Sequence, residues 1–429
     1  MVNNQNQTTE NELTGKYLVL FREGAVTEGM QMLGDLGGID VSSSGQPQTS
    51  RCQLFNTLGV AMVSAELSQM RSLRISTAEN SPILAVEPER VVYSSAYLRS
   101  KNLELADSIA TNGMTKYLQG YRDAVNQLCD SLVPTEPTQL LDPLVDESVA
   151  TWGLEATNVL KSSSSGRAIK VAVLDTGFDF EHPDFIGRNV ISQSFIEGEE
   201  VQDLNGHGTH CIGTACGTRQ PVQLPRYGVA YDSEIYVGKV LSNEGRGVDS
   251  GILEGIEWAL ANGCHIISMS LGSPTKLGDS YSRIYETVAQ RALRRGTLII
   301  AAAGNDSNRA SDSINPVARP ANSPSIMAVA ALDSQLGIAN FSNRGLNPEG
   351  GQVDIAAPGV EVYSSWPMPT QYRTISGTSM ATPHVAGIAA LHAEATGLRG
   401  QELSNHLTQT ARRLSLASED VGSGLVQAP

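Results

Sequence analysis

Short apolar runs with almost no polar interruption recur through the later part of the chain. They cover residues 168–174, 234–241, 265–271, 297–303, 326–332 and 353–358. A strand that is apolar on both faces is typical of a sheet that is covered on both sides. Amphipathic segments such as 250–263 and 281–296 separate these runs and predict helices. The pattern predicts an α/β domain over residues 146–429, with a doubly wound, mainly parallel sheet and helices on both faces.

Residues 15–97 follow a different pattern, in which short apolar runs alternate with polar spacers. The runs at 16–21, 58–65 and 83–92 predict strands, and the amphipathic segments 26–38 and 65–76 predict helices. The order is β-α-β-β or β-α-β-α-β, which indicates a small α+β domain. We call this predicted domain the N-terminal unit, and the α/β domain the C-terminal domain.

Two further segments lie outside these domains. Residues 1–14 are polar and are predicted to be disordered. Residues 98–145 hold one polar-leaning helical pattern followed by a stretch with several prolines, which predicts a helical arm or linker. No repeat of solenoid length is visible along the sequence.

Charge and composition narrow the possible functions. The formal net charge is −15, and no run of Lys or Arg marks a phosphate-binding surface, so we expect no nucleic-acid partner. The basic stretch 291–296 is interpreted as the cationic last turn of a helix closed by Gly296. No leader-like or membrane-spanning apolar stretch is seen, so we expect no membrane association and a cytoplasmic protein, although secretion without a signal peptide stays open. The five cysteines are scattered and are expected to be reduced.

The tripeptide Asp175-Thr176-Gly177 after an apolar run has two interpretations. It is typical of an aspartic protease, and Asp249-Ser250-Gly251 offers a second candidate loop. However, that second tripeptide opens a helical pattern with Asp249 or Ser250 as its cap, and α/β alternation contradicts the β scaffold such an enzyme needs. The acid of a serine protease triad is therefore the favoured interpretation of Asp175.

A serine protease also needs a base, a nucleophile and a donor to the oxyanion. His207 lies in the stretch Asn-Gly-His-Gly-Thr-His, directly before a helical pattern of small residues. Ser379 lies in Gly-Thr-Ser-Met-Ala-Thr-Pro-His at the start of another helix, and one buried run ends at Gly304-Asn305. All three sit where an α/β sheet places its crevice.

With these motifs in the order Asp, His, Ser, the chain resembles the subtilisin-like serine proteases. The resemblance runs from about residue 146 to 395, through VAVLDTGFDFEHPDF, GHGTHCIGT, SMSLGS, AAAGND, NFSNRG, DIAAPG and GTSMATPHVAG. It implies a serine endopeptidase that hydrolyses peptide bonds through an acyl-enzyme intermediate. Ser379 would be the nucleophile, His207 the base and Asp175 the residue that orients His207, while Asn305 would donate to the oxyanion.

The resemblance also implies how a substrate binds. An extended peptide or protein segment would lie as an added strand between two segments of the enzyme. The implied contact residues are Ser270, Leu271, Gly272, Gly245 and Gly247. Asp306, directly after Asn305, could place negative charge at the rim of the primary pocket and favour a basic residue there.

The resemblance requires no organic cofactor and leaves calcium open. Asp184 matches a ligand position of the family's high-affinity calcium site, but the loop 217–228 lacks the usual Asn-rich pattern. The resemblance gives His182, His210 and His384 structural roles. Cys211 and Cys216 are expected to pack behind His207, with thiol regulation as the alternative.

The N-terminal unit resembles, more weakly, the inhibitory propeptide of subtilisins, through KYLVLF, LGVAMVSA and VEPERVVYSSAY. This implies a zymogen whose own prodomain blocks the active site and which cleaves itself within residues 94–98. Two other functions are kept: a catalytically silent peptide-binding scaffold, and a peptide ligase or macrocyclase that uses the same acyl-enzyme. The intact motif residues argue against the scaffold, and no capping insertion supports the ligase.

Overall fold

The structure is a computed structural model, which describes residues 13–37, 52–65, 81–94 and 148–429. Its strands are β1 (Leu13–Phe21), β2 (Cys52–Phe55), β3 (Val60–Ser64), β4 (Ile83–Ser94), β5 (Lys170–Asp175), β6 (Val190–Ser194), β7 (Glu234–Lys239), β8 (Arg246–Val248), β9 (Ile266–Met269), β10 (Leu271–Gly272), β11 (Leu298–Ala302), β12 (Met327–Leu332), β13 (Ile355–Pro358), β14 (Val362–Ser365) and β15 (Tyr372–Ile375). Its α-helices are α1 (Val26–Gly37), α2 (Trp152–Ala156), α3 (His207–Cys216), α4 (Asp249–Ala261), α5 (Arg283–Arg294), α6 (Thr378–Thr396), α7 (Gly400–Thr410) and α8 (Ser418–Val421). Short 3₁₀ helices cover Val159–Lys161, Pro183–Phe185 and Arg309–Ser311.

The C-terminal domain is built on a sheet whose strands are all parallel in the described part of the chain. The strand order is β13-β12-β11-β9-β5-β7-β6. Each of the six apolar runs predicted for the C-terminal domain overlaps one of these strands, which confirms the predicted sheet. The edge strand β6 was not predicted, because its middle residues are exposed and its sequence therefore lacks a continuous apolar run.

Helices cover both faces of this sheet. Ala172 and Leu174 of β5 share one hydrophobic core with Ile256 of α4 and Tyr285 of α5. Val173, on the other face of β5, belongs to a second core that α3 and α6 complete. The doubly wound α/β class is thus confirmed. Among the described residues, no helix is long and apolar enough to cross a membrane.

The described part of the N-terminal unit is an antiparallel sheet in the order β4-β1-β3-β2 with the helix α1. One face of this sheet packs Val19 and Phe21 against the side of α1 that carries Leu33. The other face places Leu18 and Leu20 in the core that contains α4 and α5. A small α+β unit therefore rests on two helices of the C-terminal domain.

Two strands of this unit differ from the predictions, and three predicted segments in or beside the unit lie outside the described residues. Strand β1 begins at Leu13, two residues before the predicted start of the unit. Strand β2 was not predicted, because it is only four residues long. The predicted helix at 65–76, the helical arm at 98–145 and the disordered segment before residue 13 lie outside the described residues.

The predicted cap of α4 is wrong, although the helix begins where expected. The residue at the cap position is Val248, which makes no side-chain capping bond, and Asp249 is the first helical residue. The Asp249 carboxylate accepts hydrogen bonds from the Arg90 backbone N–H (2.9 Å) and the Tyr285 hydroxyl (2.9 Å). Burial raises its pKa to about 6. Asp249 thus contacts the N-terminal unit and does not cap its own helix.

Candidate active site

Three predicted residues meet at the carboxyl edge of the parallel sheet. Asp175 is the last residue of β5, His207 the first residue of α3, and Ser379 the second residue of α6. All three side chains are buried. Strand β5 lies between β9 and β7, so the site occupies the point where the connections diverge to the two sides of the sheet.

Asp175 and His207 form a buried hydrogen-bonded pair. The distance from Asp175 Oδ1 to His207 Nδ1 is 2.7 Å, and the same oxygen accepts the Thr176 backbone N–H at 2.8 Å. Burial lowers the pKa of His207, but the Asp175 carboxylate and the Cys211 thiol raise it, and the net result is a pKa well above the usual value. The geometry favours the tautomer with the proton on Nδ1, which leaves Nε2 free to accept a proton.

Asp203 holds the start of α3 in place, and the sequence reasoning missed it. One of its oxygens accepts the Gly206 N–H (2.9 Å), and the other accepts the N–H and hydroxyl of Thr209 (2.9 and 2.8 Å). Its first oxygen also accepts the Thr176 hydroxyl at 3.0 Å, next to Asp175. Asp203 lies three residues before the cap position, Gly206, so no local capping pattern marked it in the sequence.

A proline in α6 leaves the backbone carbonyl of Ser379 free for hydrogen bonds outside the helix. Pro383 has no N–H to bond the Ser379 carbonyl four residues earlier, so that oxygen is available to other donors. It accepts the Ser270 hydroxyl at 2.8 Å and the Cys211 thiol at 3.5 Å. The Ser379 hydroxyl itself donates to the Ser270 carbonyl at 3.3 Å. Within the described residues, His207 Nε2 has no hydrogen-bond partner.

Asn305 is oriented by Thr378, the residue before Ser379. Its Oδ1 accepts the Thr378 N–H at 2.8 Å and the Thr378 hydroxyl at 2.9 Å. These two donors identify Oδ1, so Nδ2 points the other way. A Cβ atom built on Gly377 would lie 3.2 Å from Asn305 Nδ2 and 3.6 Å from the Ser379 backbone nitrogen. The glycine therefore leaves a space that two N–H donors border, as an oxyanion site requires.

We expect Gly377→Ala to lower kcat about 10- to 100-fold with little change in KM, because its methyl group would occupy part of this space. The φ of Gly377 is 168°, which is extended backbone that alanine adopts without strain, so the effect would come from the added methyl group. Steady-state kinetics on an extended peptide substrate would measure it. Gly251→Ala in α4 is the matched control, since its Cβ meets only ordinary contacts. An unchanged kcat in Gly377→Ala would contradict the expectation.

The predicted substrate-contact residues surround a strand of the chain itself. Strand β4 lies antiparallel between β10 and β8, with Ser94 opposite Leu271 and Tyr93 opposite Gly272. On the other side Val92 lies opposite Gly247, and the Ser94 N–H donates to the Gly245 carbonyl at 2.9 Å. The structure thus brings together the residues predicted to bind an extended peptide, and the end of the N-terminal unit occupies the space between them.

Asp306, predicted at the rim of the primary pocket, is partly buried. Its carboxylate accepts a hydrogen bond from Asn343 Nδ2 at 3.1 Å, and burial raises its pKa. Its backbone N–H donates to the Asn343 Oδ1 at 3.0 Å. The side chain is therefore largely enclosed and held by one asparagine.

The other histidines and the cysteines near the site have structural contacts. His210 Nε2 lies 3.1 Å from both the Val362 and Arg373 carbonyls, and burial lowers its pKa to about 3. His384 bonds the Met380 carbonyl through Nδ1, and burial lowers its pKa to about 4. His182 Nε2 donates to the Gln371 carbonyl at 2.7 Å.

The cysteines that the structure describes are all buried and free of disulfides. Burial raises the pKa of the thiols of Cys211 and Cys216. A raised pKa keeps a thiol protonated and weakly reactive. These observations agree with packing roles and do not favour thiol regulation. Cys129 lies outside the described residues.

The surroundings of Asp184 do not fit a calcium ion. One carboxylate oxygen accepts the Val222 N–H at 2.7 Å, and the other accepts the hydroxyls of Tyr227 (2.6 Å) and Tyr372 (3.1 Å). Calcium needs six to eight oxygen ligands, whereas the groups that face Asp184 are hydrogen-bond donors. Hydrogen bonds thus occupy the carboxylate that the resemblance offered as a calcium ligand.

Comparisons with known proteins identify the family. The profile described as "Subtilase family" matches residues 166–424. The chain is 42% identical over 283 residues to Subtilisin BL from Lederbergia lenta, which covers 65% of this chain and 96% of that protein. It is 38% identical over 275 residues to Subtilisin DY from Bacillus licheniformis, covering 64% and 94%. An alkaline protease from Alkalihalobacillus alcalophilus is 42% identical over 283 residues, covering 65% and 68%. The chain therefore belongs to the subtilase family and is a subtilisin-like serine endopeptidase.

Proposed function

We propose that this endopeptidase is made as a zymogen whose N-terminal unit occupies its own active site and is removed by self-cleavage. The observation that carries the proposal is the pairing of β4 with β10 and β8, which puts the chain's own backbone where a substrate strand would lie. Added-strand binding selects extended peptides, so unfolded protein segments are the expected substrates.

In the proposed reaction, Ser379 Oγ attacks the carbonyl carbon of the scissile bond. His207 Nε2 accepts the hydroxyl proton and then gives it to the leaving amine, and Asp175 holds the imidazole and stabilises its charged form. Water later attacks the acyl-enzyme with the same base. The 2.7 Å contact between Asp175 and His207 supports these roles. The Ser379 hydroxyl must turn from the Ser270 carbonyl to His207, and rotation about one side-chain bond changes its direction.

The negative charge that develops on the substrate oxygen would be stabilised by Asn305 Nδ2 and the Ser379 N–H. Both donors border the space beside Gly377, and the start of α6 adds its favourable dipole. Because Thr378 fixes Asn305 before any substrate binds, the donor does not have to reorganise during the reaction. A donor that is placed in advance stabilises the transition state more than the ground state.

Carboxylates from β4 support the proposed inhibitory role of the N-terminal unit. Glu87 accepts the Ser282 hydroxyl (2.7 Å) and the Ile284 N–H (3.3 Å) at the start of α5. Glu89 accepts the Ser250 N–H at 3.2 Å at the start of α4. Negative charge at a helix N-terminus is stabilising, so these contacts bind the unit to two helices besides the cleft.

The register of β4 supports self-cleavage near its end. Ser94 lies opposite Leu271, and the next residue of the enzyme strand, Ser270, contacts Ser379 through both its hydroxyl and its carbonyl. In an antiparallel pair the chain advances one residue for each residue of its partner. The bond that Ser379 attacks is therefore expected just after Ser94, within residues 94–98.

The alternative functions receive less support. A silent scaffold would not need the buried pair of Asp175 and His207, whose burial is costly without a chemical role. A ligase would need a device that excludes water from the acyl-enzyme, and we identify none among the described residues. A preference for basic residues through Asp306 and a cytoplasmic location both remain predictions.

Covalent labelling tests the proposed nucleophile. We expect a fluorophosphonate probe to phosphonylate one serine, with fluoride as the leaving group, and peptide mass spectrometry to map the label to Ser379. Labelling should be slow while the N-terminal unit is bound and rapid after it is removed, because the unit covers the cleft. Asp232→Asn, an exposed acid that pairs with Arg167, should label like the wild type. A label on another serine, or none after removal of the unit, would contradict the proposal.

We also expect that no calcium ion bound at Asp184 contributes to the Tm of the protein. In the uncleaved Ser379→Ala protein, EDTA should leave the Tm within about 1 °C of its value in calcium, whereas Asp184→Asn should destabilise by about 1–3 kcal/mol through loss of charge-assisted hydrogen bonds. Differential scanning calorimetry with and without EDTA measures both effects. A chelator effect that disappears in Asp184→Asn would show a calcium site there and overturn the expectation.

A further inference from the structure

A cavity of about 370 Å³ lies between the N-terminal unit and the end of α5. Arg22, Glu23 and Thr57 line it from the N-terminal unit, and Arg291, Arg294 and Arg295 line it from the C-terminal domain. The last three of these arginines form the basic stretch that the sequence interpreted as a cationic last turn, and α5 does end within that stretch, at Arg294, with Gly296 at φ +83°. The tertiary structure adds a second feature, since the same charges line a cavity that is open to solvent and shared with the N-terminal unit.

The charge of this cavity opposes that of the whole chain. Four arginines line it with one acid, Glu23, although the chain has a net charge of −15. Glu23 pairs with Arg294 at 3.3 Å, but its side chain is 79% exposed, and such a pair contributes little. Arg295 makes no side-chain hydrogen bond or ion pair with the described residues. The lining therefore carries a concentrated positive charge, which attracts anions.

Arg291 is the partly buried member of this set of arginines. Its guanidinium donates to the Phe21 carbonyl at 2.9 Å and to the Leu58 carbonyl, so it joins the two domains directly. These partners are neutral oxygens, and among the described residues that line the cavity only the exposed Glu23 offers a carboxylate to offset the charge of Arg291. Burial lowers the pKa of Arg291, Glu23 raises it, and Arg294 and Arg295 lower it, so that the net pKa is lowered. An anion in the cavity would supply the missing negative charge to residues of both domains.

We propose that this cavity binds a multiply charged oxyanion of the phosphate class. Guanidinium groups match the oxygens of such an anion in geometry as well as in charge, and a multiply charged anion has enough oxygens to contact several of them at once. Since the lining comes from both domains, the site exists only while the N-terminal unit is docked. A ligand that binds one state stabilises that state, so the anion holds the unit in place. This regulatory effect rests on the proposed function, whereas the binding itself does not.

The binding is tested with inorganic pyrophosphate and the full-length Ser379→Ala protein, which keeps the N-terminal unit attached. Isothermal titration calorimetry at constant ionic strength should show one site per chain. Arg294→Gln with Arg295→Gln should weaken the affinity at least about tenfold, because two charge-assisted contacts are lost. The matched control, Arg412→Gln with Arg413→Gln, removes two adjacent exposed arginines outside the cavity and should change the affinity less than about twofold. No saturable heat, or equal loss in both double variants, overturns the site.

The regulatory effect is tested separately with the wild type. At pyrophosphate ten times above its Kd, the rate at which peptidase activity appears should fall about tenfold, and Arg294→Gln with Arg295→Gln should remove this effect. An unchanged rate, despite binding in the calorimeter, overturns the stabilisation of the docked unit. A wild type that is fully active with its N-terminal unit attached contradicts the proposed zymogen, and leaves the calorimetric result on the anion site intact.

Discussion

Ser379→Ala is expected to lower the rate of peptide hydrolysis about 10⁶-fold, the size of effect found when the nucleophile of a subtilisin is removed. The same variant should keep its full mass, while the wild type loses an N-terminal fragment that ends within residues 94–98. The reason is that both reactions need the same attacking oxygen, which lies beside Ser270, the residue next to the β4 pairing. Intact-mass spectrometry over time, together with an extended peptide substrate, measures both effects.

The control for this prediction is Ser192→Ala, an exposed serine on the edge strand β6. It should process and hydrolyse like the wild type. If Ser379→Ala still lost the N-terminal fragment in purified form, cleavage would have another agent and the self-processing proposal would fail. If it kept more than about one-tenth of the hydrolytic rate, Ser379 would not be the nucleophile.

Asp175→Asn is expected to lower kcat about 10⁴-fold while the fold is retained. Asp175 Oδ1 accepts both the Thr176 N–H and the His207 Nδ1 proton. An asparagine lacks the charge that stabilises the imidazolium, and an NH₂ group in place of Oδ1 would donate to His207 Nδ1 and favour the tautomer with the proton on Nε2. In that tautomer Nε2 cannot accept the proton of Ser379. Kinetics on the processed enzyme would show the loss, and circular dichroism would check the fold.

The pH profile separates this explanation from a loss of structure. Activity needs neutral His207, which forms as pH rises above its pKa, and Asp175 helps to raise that pKa. Without the carboxylate the pKa falls, so the acidic limb of kcat/KM should move to lower pH. Asp232→Asn is the control and should leave both rate and profile unchanged. A limb that stays in place, or a rate within about tenfold of wild type, would exclude Asp175 as the orienting acid.

Local sequence patterns were sufficient to predict the parallel sheet. Strands such as β5 and β12 are buried on both faces, so their sequences are continuously apolar and can be recognised without a structure. The pattern failed for β6, which lies at the exposed edge, and for the short strand β2. Their stability comes from pairing with a neighbour, and the neighbour is not visible in the strand's own residues.

The candidate site could be predicted in part for a related reason. Asp175, His207 and Ser379 each lie where an element begins or ends, beside glycine-rich or small-residue motifs that are distinctive in the sequence. Asp203 was missed because its function depends on which N–H groups its carboxylate reaches. The cap predicted for α4 was wrong for the same reason, since Asp249 bonds Tyr285 and the N-terminal unit in preference to its own helix.

The family, the class of fold and the residues proposed for catalysis can be recognised without a structure, because they follow from local composition and motif order. The folded structure was needed to show that β4 pairs with β10 and β8 in a given register, that hydrogen bonds occupy Asp184, and that arginines at the end of α5 line a cavity shared with the N-terminal unit. Each of these depends on partners distant in sequence. Hydrogen bonds and charges act over a few ångströms, and only the folded chain decides which distant groups come that close.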